Sequence, residues 1–117
     1  MHPVVYKILS AADWTAACRN GAFMGSRDDL RDGFVHLSAP HQLAGTLSKY
    51  FRDRNDLLLV AYRGTDLGSA LRYEPSRGGD LFPHLYGPLP TALALWQRPL
   101  QPGADGVPVV NREWLEC

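Results

Sequence analysis

Two histidines of the 117-residue chain sit in short motifs that mix polar and apolar residues. His36 lies in Asp32-Gly33-Phe34-Val35-His36-Leu37-Ser38, and His84 in Phe82-Pro83-His84-Leu85-Tyr86-Gly87. An imidazole can donate a hydrogen bond, accept one, or titrate near neutral pH. Strand alternation sets His36 on the face opposite Val35 and Leu37. Pro83 restricts the backbone beside His84, which helps to hold a side chain in one orientation. Glu74, at the end of a strand, suits a carboxylate that orients a histidine or hydrogen-bonds a sugar hydroxyl. His36, Glu74 and His84 are therefore the candidate catalytic residues, with a half-buried or turn-packed histidine and an idle strand-end carboxylate as the structural alternatives. Lys7, between Tyr6 and Ile8 in the first strand, is a candidate partner for an anionic group, although a solvated lysine is the commoner fate. Ser38, Gln42, Thr46 and Tyr86 complete the expected ligand contacts. Ser38 itself reads as a helix cap and not a nucleophile, since nothing around it resembles a strained nucleophile elbow.

Two imidazoles and a carboxylate are also a chemically sensible zinc set. The spacing of His36, Glu74 and His84 matches no metal motif, so no metal site is assigned. Arg77-Gly78-Gly79-Asp80 lacks the spacing and the following helix of a phosphate-cradling loop.

These side chains need a scaffold, and the hydrophobic pattern supplies one of class α+β. Val4 to Leu9 reads as a strand, and Ser10 to Asp13 has capping-box spacing for a helix from Ala11 that ends at Gly21. Gly25 to Asp32, rich in Asp and Arg, reads as a surface loop. Gly33 to Leu37 is a second short strand, and Ser38 caps a helix with Pro40 in its first turn. That helix buries Leu43, Leu47, Tyr50 and Phe51 and leaves Gln42 and Thr46 on a neighbouring face. Leu57 to Tyr62, the most apolar run, suits a fully buried central strand. Gly64 to Ser69 is a turn, Leu71 to Glu74 a half-exposed strand, Arg77 to Asp80 a turn tip and Phe82 to Gly87 a short extended piece. Thr91 to Gln97, bounded by Pro90 and Pro99, reads as a strand, after which the chain wraps the surface to Trp114.

The length suits one domain, residues 1–117. Twelve basic residues balance twelve acidic ones, so no global field draws the chain onto nucleic acid or an anionic membrane. No apolar run approaches the ~20 residues of a membrane span. The first residues lack the pattern of a secretory signal, so a cytoplasmic protein with a small-molecule ligand is expected. Cys18 is expected as a small buried residue on the first helix and Cys117 as idle.

The same residues resemble a small bacterial family, domain of unknown function 952. The resemblance covers Tyr6-Lys7-Ile8, Trp14, Gly21, the His36 motif, Gln42, Thr46, Phe51, Glu74 and the His84 motif. That family in turn resembles, by element order, the ADP-ribosyltransferase-like folds. The second resemblance implies a small split antiparallel sheet with two main helices around a cleft for NAD. Its usual triad takes a histidine or arginine from the first strand, an aromatic residue from the second and an acid from a later one. By position these are Lys7, His36 and Glu74, with His84 as an alternative, and the acid alone matches in type. A lysine there would pair a phosphate. The resemblance therefore implies a protein for NAD or an ADP-ribose-type ligand, a transferase or a glycohydrolase acting at a ribosyl carbon. A non-catalytic module for a small ligand or peptide is the second reading, and a metal-dependent hydrolase using His36, Glu74 and His84 the third.

Overall fold

Leu57 to Tyr62 is apolar without alternation because the strand that contains it, β4 (Leu57–Arg63), is covered on both faces. It pairs with β1 (Val4–Ser10) on one side, from Val4↔Arg63 to Ser10↔Leu57, and with β8 (Ala94–Pro102) on the other. A short β9 (Pro108–Val109) completes an antiparallel sheet of order β1-β4-β8-β9. The computed structural model describes residues 3–115; Cys117 lies outside the described residues.

The two faces of this sheet follow from alternation along β1 and β4. Val5, Leu9, Val60 and Tyr62 pack with Trp14 and Ala17 of α1 (Ala11–Asn20) and with Val35, Leu37 and Leu85. Tyr6, Ile8, Leu57, Leu59 and Ala61 pack with Leu43 and Leu47 of α3 (Leu43–Tyr50). Ser10 Oγ accepts the Asp13 N–H at the start of α1, and Gly21 ends that helix at φ 85°.

Three further strands carry the histidines. β3 (Val35–His36), β6 (Leu81–Leu85) and β5 (Leu71–Pro75) form a second antiparallel sheet of order β3-β6-β5. It joins the first where Tyr6 and Ser38 exchange backbone hydrogen bonds of 2.9 Å. β2 (Ala22–Phe23) and β7 (Leu89–Pro90) make a separate two-stranded pair.

Several expectations are corrected. Gly25 to Asp32 is not a loop: Arg27–Asp32 is a helix, α2, with a reciprocal capping box between Ser26 and Asp29. Ser38 does not cap α3, because its backbone is committed to Tyr6; a 3₁₀ turn, Pro40–Gln42, leads into the helix instead. Tyr50 is 59% exposed and not part of the buried stripe. Cys18 is exposed, since α1 meets the core through Trp14 and Ala17 alone. Thr91–Leu93 is a 3₁₀ turn, and the strand begins at Ala94 and runs through Pro99 to Pro102. Proline is tolerated there because β9 pairs only with Gln101 and Pro102, which leaves that side of β8 open at Pro99. No helix among the described residues is long and apolar enough to cross a membrane.

Candidate functional site

His36 and His84 are direct cross-strand partners in the β3–β6 pair. Alternation then puts Phe34 and His36 of one chain segment, Phe82, His84 and Tyr86 of the next, and Arg72 and Glu74 of β5 on the same face of the sheet. Val35 and Leu85 face the core instead. The two imidazoles meet edge to face with centroids 5.7 Å apart. Phe34 stacks on His84 at 4.0 Å and also touches His36 and Tyr86, which fixes the rings against one another.

The His36 side of the site is built on α2. Gly33 closes that helix in the left-handed region, φ 87°, and its N–H and that of Phe34 both donate to the Asp29 carbonyl. The chain therefore folds back within two residues, and Asp29 lies beside His36. The Asp29 carboxylate is 2% exposed. Its Oδ1 accepts from His36 N at 3.0 Å and lies 2.6 Å from His36 Nδ1. Its Oδ2 accepts from Ser26 N at 2.9 Å and from Lys7 Nζ at 3.0 Å. Lys7 Nζ also donates to the His36 carbonyl at 3.0 Å, and His36 Nε2 lies 3.0 Å from Asp32 Oδ2. Burial works to raise the Asp29 carboxyl, but the His36 hydrogen bond, the Lys7 charge and the two backbone N–H groups outweigh it and hold it well below the usual carboxylate range. Burial also pulls the Lys7 ammonium below its ordinary value, against the attraction of Asp29. Donors on both oxygens favour the ionised form of the Asp29 carboxyl.

The His84 side is simpler. His84 Nδ1 is 2.8 Å from Glu74 Oε1, and the Tyr86 hydroxyl donates to the same oxygen at 2.7 Å. The bonds from His84 and Tyr86 lower the Glu74 carboxyl, while the bond to Glu74 raises the Tyr86 phenol. The Arg72 guanidinium lies over the Tyr86 ring at 4.6 Å. His84 Nε2 has no protein partner among the described residues. The two rings border a cavity of about 260 Å³ between α2, α3 and the histidine sheet. A second hollow of about 310 Å³ adjoins it and shares Lys7, Ile8, Ser26, Asp28, Tyr50 and Phe51.

The family model described as "Protein of unknown function (DUF952)" matches residues 8–96, a span that includes both histidine motifs. The chain belongs to the DUF952 family. It is similar to protein CC0527 of Caulobacter crescentus, whose crystal structure shares 46% identity over 97% of this chain and 99% of that one, with a TM-score of 0.92. The solution NMR structure of CC0527 matches over 95% of this chain and 96% of that one, at 46% identity and a TM-score of 0.85. No match was found among curated proteins.

In this DUF952 chain Lys7, His36, Ser38, Thr46 and His84 line the cavity. Glu74 and Tyr86 are not in its lining and reach it through His84. Gln42 is also absent from the lining: its Nε2 donates to Asp80 and to the Leu81 carbonyl, each at 2.8 Å, and its Oε1 accepts from Ala39 N. Among the described residues no three His, Cys, Asp or Glu side chains are disposed to hold a metal ion, so His36, Glu74 and His84 do not form the zinc set considered above. Each Nδ1 faces its own carboxylate, Asp29 or Glu74. Sequence reasoning missed Asp29, and it named Asp32 and Phe34 as members of the His36 motif without giving either a role. The Ser26-x-x-Asp29 spacing carried the signal for the first, since it is the same capping pattern that places Ser10 and Asp13.

Proposed function

We propose that this protein has an ADP-ribosyltransferase-like fold and binds NAD or an ADP-ribose-type ligand in the cavity, with His36 and His84 against the ribosyl group. The observation that carries this reading is the cross-strand imidazole pair on the cavity wall, each Nδ1 backed by a carboxylate. The first cavity alone falls just under the ~300–1,000 Å³ of common ligand sites, and the adjoining hollow extends it to the scale of a dinucleotide. A carboxylate-held histidine with an open Nε2 is a general acid–base unit. In a glycohydrolase reaction water would form the new C–O bond at the ribosyl carbon and give a proton to His84 Nε2, while the C–N bond breaks with its electrons leaving on neutral nicotinamide. Glu74 would hold the ring in place through Nδ1.

A second reading, a binding module in which no bond breaks, is favoured by His36, both of whose ring nitrogens already face carboxylates. Nicotinamide release separates the two. NAD or ADP-ribose at a hundred times its Kd stabilises the fold by ~2.7 kcal/mol, about 10 °C in Tm for a chain of this size. The expected result is that shift with wild type, its loss in His36→Ala, and nicotinamide release that disappears in His84→Ala. No shift with either ligand at millimolar concentration overturns the proposal, and a shift without release leaves the binding module.

A further inference from the structure

We infer that Arg77 is the phosphate anchor of this cavity. The inference rests on the phosphoribosyl reading above and adds the residue that recognises the charged part of the ligand. On the α2 wall the acids are paired: Asp29 has Lys7 at 3.0 Å, while Asp28 and Asp32 share Arg31, at 3.3 and 2.9 Å. On the facing wall the balance is reversed. Arg77 lines the cavity, and among the described residues no carboxylate pairs with it. Asp80, the nearest acid in sequence, is occupied by Gln42 Nε2 at 2.8 Å, by His41 Nε2 at 3.0 Å and by Leu81 N. The formal charges of the lining cancel, Lys7, Arg31 and Arg77 against Asp28, Asp29 and Asp32, and the cation without a carboxylate of its own among the described residues is the Arg77 guanidinium.

That guanidinium is also held in place. Arg77 Nη1 donates to Thr46 Oγ1 at 3.1 Å, and Cζ lies 5.0 Å from the centroid of the Phe82 ring. Its other edge crosses α3 at Gly45, where an added Cβ would sit 2.8 Å from Nη2. A half-buried arginine stacked on an aromatic ring, with one of its five N–H donors used, is built to take a phosphate in a bidentate grip. Thr46 is then a positioning residue for Arg77, and the missing side chain at Gly45 is what lets the guanidinium lie flat against the helix. The opposed walls give the ligand a direction, with its phosphate toward Arg77 and its sugar toward His36 and His84.

Calorimetric titration of wild type, Arg77→Gln, Arg77→Lys and Gly45→Ala with ADP-ribose and with inorganic pyrophosphate tests this. Both Arg77→Gln and Gly45→Ala should weaken ADP-ribose and pyrophosphate at least tenfold, with Arg77→Lys in between because it keeps the charge without the fork. Alanine is the better helix former at an exposed helical position, so Gly45→Ala should melt no lower than wild type, and its loss of binding cannot be assigned to unfolding. If wild type binds ADP-ribose and both variants bind it equally well, the anchor is overturned while the phosphoribosyl reading stands. If pyrophosphate binds through Arg77 and ADP-ribose does not bind at all, the anchor stands and that reading falls. Binding of neither compound by wild type overturns both.

Discussion

Asp29→Asn is the sharpest perturbation of the site, because it removes a charge and keeps the shape. In the native chain Oδ1 faces two donors on His36, and Oδ2 faces Lys7 Nζ and Ser26 N. An asparagine must turn its NH₂ toward one of these sides, so whichever way it lies a backbone N–H, that of His36 or that of Ser26, meets another donor. It also leaves the Lys7 ammonium buried without its counter-ion. Breaking a buried pair by removing one partner costs ~3–5 kcal/mol. Lys7 Nζ keeps its hydrogen bond to the His36 carbonyl in the variant, which places the cost near the lower end of that range, ~3 kcal/mol. For a chain of this length that corresponds to a fall of about 12 °C in Tm. Urea denaturation at pH 7 measures it, and a double-mutant cycle with Lys7→Met assigns it: in the Lys7→Met background the same Asp29→Asn change should cost ~1–2 kcal/mol less. A loss under ~1 kcal/mol, equal in both backgrounds, would refute the picture of a buried ion pair at the base of the site.

Two further outcomes follow from the same geometry. Asp29 is held below its ordinary value of 3.8, so its proton leaves more readily in the folded chain than in the unfolded one. The stabilisation it gives is complete above that value and is lost as pH falls below it; acid titration of wild type should show this falling limb, and Asp29→Asn should show a shallower one. Gly33→Ala places a Cβ in open space but at φ 87°, so its cost should be backbone alone, ~1–2 kcal/mol. Gly87→Ala, also in open space but with no positive φ, is the control and should be near neutral; equal melting temperatures for the two would sink the argument.

The parts of the fold legible in the sequence are those where one local rule acts without competition. Ser10 caps, Gly21 stops, and the unbroken apolar run from Leu57 lies between two covered faces. The failures occur where a second demand outweighed the local one. Ser38 has cap chemistry, but its backbone N–H and C=O are needed to join the two sheets through Tyr6. Tyr50 has helical spacing, but α3 ends there and the ring turns to solvent over the cavity rim. α2 escaped notice because a six-residue helix is too short for an apolar repeat, and what it buries is a carboxylate. The residues of the candidate site were visible as types in two motifs. Their carboxylate partners were visible only on the Glu74 side, where the strand order brings the acid beside the histidine.

The site and the scaffold specify each other. A slip of β3 by one residue against β6 would turn Val35 to solvent and drive His36 into the core beside Tyr62 and Leu67. Its imidazole would then be buried without its carboxylate, which costs more than a lost hydrogen bond. The short strands, two paired residues in β3 and five in β6, have too few backbone bonds to fix their own register against such a slip. The Asp29 contact with His36 and the Phe34 stack on His84 supply the missing discrimination. The motifs around His36 and His84 therefore carry a folding instruction as well as a chemical one, and substitutions there should be read in both assays.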